Sequence, residues 1–184
     1  MIYRGGELDG FTEGRVLTDF GKESLYDHLG MRFDLDLRGG EEISMKASPL
    51  GDDVKYCHIS SESYGEFIPW KSNTQKMLKL LTDKDNYPIY IHCAVGADRT
   101  GSLFGVINGL LGMSEKDMTE EYEMSTVSFS DGNRTRHEWT WPAYMGQIDK
   151  YEGADFNEKI YNYVLSCGIT AEEIETIRSI MLED

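Results

Sequence analysis

The chain is poor in positive charge and in cysteine, and it has no long apolar run. Against 33 aspartates and glutamates stand 18 lysines and arginines, a formal net charge of −15. Such a field repels polyanions, which argues against nucleic acid or an anionic membrane as a primary partner. It also opposes a phosphorylated substrate, so local geometry has to overcome it wherever one binds. No stretch approaches the roughly 20 apolar residues that span a bilayer, and no secretory leader is visible at the N-terminus. The three cysteines, Cys57, Cys93 and Cys167, are odd in number and lack CxxC or metal-ligand spacing. That argues against a disulfide framework and structural zinc, and no cofactor is called for. Four prolines and 40% apolar residues in 184 describe one ordinary soluble domain, 1–184, able to bury a core.

What the chain does have is the stretch His92-Cys93-Ala94-Val95-Gly96-Ala97-Asp98-Arg99-Thr100-Gly101. It follows Pro88-Ile89-Tyr90-Ile91, short and β-prone, and precedes Ser102 to Ile107, which reads as a buried helix. A thiol is thereby placed where a strand ends, a loop of small residues turns and a helix begins. Loop amides and a helix N-terminus together welcome an anion. They also favour the thiolate, the nucleophilic form of cysteine. Arg99, six positions after Cys93, can grip two oxygens of a tetrahedral oxyanion with its planar fork. The phosphate-binding set is thus Cys93, Ala94, Val95, Gly96, Ala97, Asp98 and Arg99.

The pattern Cys-x5-Arg-Thr preceded by His resembles the phosphate loop of the cysteine-dependent protein tyrosine phosphatase superfamily. The longer form, His-Cys-x-x-Gly-x-Asp-Arg-Thr-Gly, resembles the tyrosine-protein phosphatases found widely in bacteria. The resemblance implies hydrolysis of phosphotyrosine, and sometimes of phosphoserine, phosphothreonine or phosphoinositides, through a phosphocysteine intermediate without a metal. It makes Cys93 the nucleophile and Arg99 the oxyanion clamp. Asp98 is its suspected general acid, with Asp36 and Glu62 as second and third choices. Thr100 would hydrogen-bond the sulfur, and His92 would orient the loop. The absence of a lysine in this loop tilts the substrate towards a singly phosphorylated group on a protein or small molecule. An inositol phosphate and a non-catalytic phosphate-binding role are the alternatives. A reduced thiol suits the cytoplasm, and an exported location stays open. The family's usual N-terminal segment is expected to be missing, since the chain opens near the family's Tyr-Arg-Ser-Gly stretch, with Gly5 where Ser is common.

Along the rest of the chain, Thr18 to Gly30 reads as a capped helix. Met31 to Leu37 alternates as a strand, with Asp34 and Asp36 on its polar face, and ends in Asp36-Leu37-Arg38-Gly39-Gly40-Glu41-Glu42. This resembles the family's Asp-Leu-Arg signature followed by Glu, which implies that Asp36 and Arg38 support the phosphate loop. Val54 to Ile59 reads as a strand and Trp70 to Asp83 as a helix packed through Met77, Leu78, Leu80 and Leu81. Thr100 to Leu111 reads as a central helix and Ser114 as an N-cap for another. Val127 to Tyr144, rich in Trp and Arg, reads as irregular. Two short helices end the chain, the second opened by the capping box Thr170-x-x-Glu173. The alternation predicts an α/β fold, a mostly parallel sheet of four or five strands flanked by helices, like that of the phosphotyrosine phosphatases.

Overall fold

The computed structural model describes residues 1–14, 16–128, 134–137 and 139–182. Four strands form one sheet, β1 (Ile2–Gly5), β2 (Phe33–Asp36), β3 (Lys55–His58) and β4 (Ile89–His92). Their order is β1-β4-β2-β3, and every pair is parallel. The two central strands, β2 and β4, are buried at all four positions. A parallel sheet covered on both faces has no solvent side, so the expected polar face of β2 does not exist. Asp34 and Asp36 are fully buried and need partners inside the protein.

Thr18 caps α1 (Asp19–Lys22) by accepting from the Gly21 amide, and a π-helical turn continues it over Glu23–His28. A short helix, α2 (Tyr64–Phe67), precedes α3 (Lys71–Leu81). The latter buries Met77, Leu78 and Leu81 as its spacing predicts. The central helix α4 (Asp98–Leu110) begins two residues earlier than the sequence suggests, so Asp98 and Arg99 open its first turn. Its Leu103, Val106, Ile107 and Leu110 pack with Leu35 and Ile91 of the sheet in the main core. Burying each such side chain is worth about 1.5–3 kcal/mol.

Ser114 caps α5 (Glu115–Met124), a 3-10 turn follows over Ser125–Ser128, and α6 runs from Thr140 to Ile148. The segment expected to be irregular is therefore helical at its end, while 129–133 and 138 lie outside the described residues. Pro142 stands in the first turn of α6, where a missing N–H breaks no helical bond. Finally α7 (Phe156–Ser166) and α8 (Ala171–Met181) close the core, and the Thr170–Glu173 capping box forms in both directions. Among the described residues no helix is long and apolar enough to cross a membrane.

Candidate active site

The loop between β4 and α4 lies at the carboxyl end of the parallel strands, where open α/β sheets place their ligands. Cys93 is 1% exposed, and its Sγ accepts from the Gly96 amide at 3.2 Å. Ala94 and Ala97 are buried beside it. The next two residues, Asp98 and Arg99, help line a cleft of about 630 Å³, together with Gly39, Glu42, Ser60–Ser63, Arg134, Trp139 and Thr140. Of the residues singled out from sequence, Asp98, Arg99 and Glu62 share this cleft, while the buried Cys93 is not among its lining residues.

Each guanidinium in the cleft faces a carboxylate. Arg99 meets Glu42 end-on, Nη1 donating to Oε2 and Nη2 to Oε1, the latter at 3.0 Å. That hydrogen bond from Arg99 holds the Glu42 carboxyl below its ordinary range. Glu42 is fixed in turn by the Gly39 amide, which donates to Oε2 at 2.7 Å. Arg134 grips Asp98 side-on, Nε to Oδ1 at 3.0 Å and Nη2 to Oδ2 at 2.9 Å. Thr126 supports it, its Oγ1 accepting from the Arg134 amide at 2.7 Å.

Beneath the loop lies a buried ionic network. Arg38, fully buried, donates to Asp36, to Glu7 at 2.9 Å and to Asp9 at 2.7 Å. Burial opposes its charge, but Asp36 and Asp9 raise its pKa further above the normal arginine range. Asp36 also accepts from the Tyr56 hydroxyl at 3.1 Å. Burial alone would push the Asp36 carboxyl up; the bonds from Arg38 outweigh it and hold it below the usual range. Asp36 therefore stands as a carboxylate outside the cleft, a support for Arg38 and a poor proton donor. His92, also buried, has Nε2 3.0 Å from Asp34 Oδ1, close enough for attraction but misaligned as a hydrogen bond. Burial works against the imidazolium, yet Asp34 and Asp36 raise its pKa on balance. The Thr100 hydroxyl is buried with no protein partner, so the expected bond to sulfur is not formed in this state.

Sequence reasoning passed over Glu42, Glu7 and Asp9. Glu42 had a signal, the glutamate following Asp-Leu-Arg; the other two meet Arg38 only because β1 ends beside β4.

The Tyrosine phosphatase family profile matches residues 1–183. The chain belongs to that family, within the cysteine-dependent superfamily. It is 34% identical to "Putative tyrosine-protein phosphatase OCA1" of Debaryomyces hansenii over 95 residues, 44% of this chain and 48% of that protein. It is 26% identical to "Tyrosine-protein phosphatase" of Nostoc commune over 132 residues, 59% and 45% of the two chains. The matched region spans about half the length of these curated relatives. Yeast relatives stand among them, so the narrower bacterial attribution is not supported. The core catalytic domain of the PP-IP phosphatase SIW14 from S. cerevisiae has the same fold, with a TM-score of 0.55 at 19% identity, covering 97% of this chain and 86% of that one.

Proposed function

We propose that this member of the tyrosine phosphatase family hydrolyses singly phosphorylated groups, phosphotyrosine first among them, through a phosphocysteine intermediate. The carrying observation is Cys93 Sγ, hydrogen-bonded by the Gly96 amide in a strand–loop–helix turn whose Asp98 and Arg99 line the adjoining cleft. In the first step Cys93 Sγ attacks phosphorus in line. The S–P bond forms as the ester P–O bond breaks, and the leaving oxygen takes a proton from Asp98, which must first release Arg134 to carry one. The loop amides and Arg99 hold the equatorial oxygens as charge spreads over them. Water then attacks phosphorus, the thiolate leaves, and the water's proton returns to Asp98. The Thr100 hydroxyl, buried and unpartnered, would turn to the sulfur and steady that thiolate. Glu62 is the second choice for the acid, since it too lines the cleft.

Charge in the cleft supports a substrate with few phosphates. Glu42, Glu62 and Asp98 outnumber Arg99 and Arg134 there, which disfavours a polyanion. Trp139, 74% exposed at the cleft wall, offers a face for an aromatic ring. The second reading is a polyphosphorylated small molecule, favoured by Arg134 as a second guanidinium. Side-by-side turnover of a phosphotyrosine peptide and an inositol polyphosphate separates the two. The first test is para-nitrophenyl phosphate hydrolysis in EDTA by the wild type and Cys93→Ser. Activity lost on substitution supports the mechanism, and phosphate binding without turnover by either refutes it.

A further inference from the structure

Tyr64 lies outside the cleft lining, yet it grips the phosphate loop from behind. It opens α2, immediately after the Ser60–Ser63 strip that walls the cleft. Its φ of +41° makes it the one non-glycine residue with positive φ among the described residues. A bulky side chain keeps such a backbone only where its surroundings impose it. Here they do. The ring is 2% exposed and held edge-on by Tyr122, Tyr144 and Trp141, at centroid distances of 5.1, 6.1 and 6.3 Å. From that socket the hydroxyl donates to the Ala97 carbonyl at 3.0 Å. The Tyr64 amide donates to Ser102 Oγ at 2.5 Å, and Ser102 Oγ donates to the Asp98 carbonyl at 2.8 Å. One residue thus holds both sides of the loop-to-helix junction.

The peptide plane gives this contact its consequence. In a trans peptide the carbonyl of Ala97 and the N–H of Asp98 point in opposite directions. Drawing the carbonyl back to Tyr64 therefore aims the Asp98 amide the other way, towards the loop's interior. We infer that Tyr64 is a positioning residue for the phosphate loop, fixing the Asp98 amide as an oxyanion donor and tying the Ser60–Ser63 wall to the loop. This rests on the reading of the loop as an oxyanion cradle. It also explains Gly101, whose backbone does not require glycine: a Cβ there would lie 2.6 Å from the Tyr64 hydroxyl oxygen.

The test is calorimetric binding of orthovanadate, read beside para-nitrophenyl phosphate kinetics. Tyr64→Phe keeps the ring and removes the bond. Vanadate affinity should fall about five- to ten-fold, the worth of about one hydrogen bond. The value of kcat should fall in proportion, with KM moving less than about two-fold, as expected for an interaction made in the transition state. Gly101→Ala should lose more, because its methyl meets the tyrosine hydroxyl. Adding Tyr64→Phe to Gly101→Ala should restore part of that loss, which damage to the fold alone would not allow. The inference is overturned if Tyr64→Phe binds vanadate as the wild type does, whatever its melting temperature, or if the double variant is no better than Gly101→Ala. A wild type that binds vanadate but turns nothing over refutes the phosphatase reading alone. One that does not bind vanadate refutes both.

Discussion

Glu42 offers the sharpest perturbation of the site. Its end-on fork occupies one N–H on each terminal nitrogen of Arg99. Of the five N–H groups of a guanidinium, that leaves three, including Nε–H and its neighbour on one terminal nitrogen. These lie along the side of the fork and match two oxygens of a phosphoryl group. Glu42 thus holds Arg99 while leaving its substrate-binding edge open. A charge-assisted hydrogen bond is worth about 1.5–3 kcal/mol. The Arg99 and Glu42 side chains are 20% and 31% exposed, so solvent screening takes the value to the lower end, about 1.5 kcal/mol. That is roughly ten-fold in rate. Glu42→Gln should therefore lower kcat/KM for para-nitrophenyl phosphate about ten-fold. Because the folded Glu42 carboxyl titrates below its ordinary range, the effect is present from pH 5 upward and fades only as pH falls through the lowered value. The measurement also decides the sign. If Glu42 competed with phosphate for Arg99, removing its charge would tighten orthophosphate inhibition. A Glu42→Gln variant that binds phosphate more tightly, or keeps kcat/KM within about two-fold, refutes the argument.

Trp139→Ala should cost about 1 kcal/mol of stacking on aryl phosphates, a five-fold loss of kcat/KM, and leave alkyl phosphates unchanged; equal losses on both would sink the aromatic-wall reading. Arg38→Met removes one buried cation from three carboxylates and should destabilise the fold by about 3–5 kcal/mol in urea unfolding. A loss under about 1 kcal/mol would show that network to be idle. The raised His92 pKa means that its stabilising contribution is complete below about pH 6.5, the unfolded value, and is lost as pH rises through the higher folded value. The melting temperature of the wild type should therefore drop towards that of His92→Asn as pH rises above about 6.5, and a pH-independent gap contradicts this. Gly96→Ala should abolish orthovanadate binding while the chain stays folded by circular dichroism, and binding at wild-type strength would disprove the packing described below.

The strand–loop–helix turn at Cys93, the parallel sheet and the helices α3, α5 and α8 were legible because each is written locally, α3 in its spacing and α5 and α8 in their caps as well. The failures share one physical origin: a residue's meaning was set by something distant in sequence. Alternation in β2 reads as a half-solvated strand, yet helices cover both faces, so Asp34 and Asp36 became interior ion partners. Val127 to Tyr144 reads as irregular, yet α6 begins within it at Thr140, with Pro142 in a first turn where it breaks no bond. Glu7 and Asp9 carry no local sign of their role, because Arg38 lies 31 and 29 positions away. The positive φ of Tyr64 has no sequence signature at all.

The first strand shows how such distant contacts give a motif its meaning. Gly96 has φ +81°, and a Cβ there would lie 2.3 Å from the Gly5 carbonyl oxygen. The loop therefore needs glycine twice over, for its turn and for the backbone of β1 lying against it. The same pairing is locked by the Glu7 amide donating to the Ala94 carbonyl at 3.0 Å. Glu7 then carries the connection down to Arg38. Gly5 is set by a neighbour too. A Cβ at position 5 would meet the Tyr90 hydroxyl at 2.1 Å, and that hydroxyl donates to the Gly6 carbonyl at 2.9 Å. Tyr90 occupies the volume that a serine side chain would need. The plain run Gly5-Gly6-Glu7 is thus the backing of the phosphate loop, and its two glycines are conditions for the loop's shape.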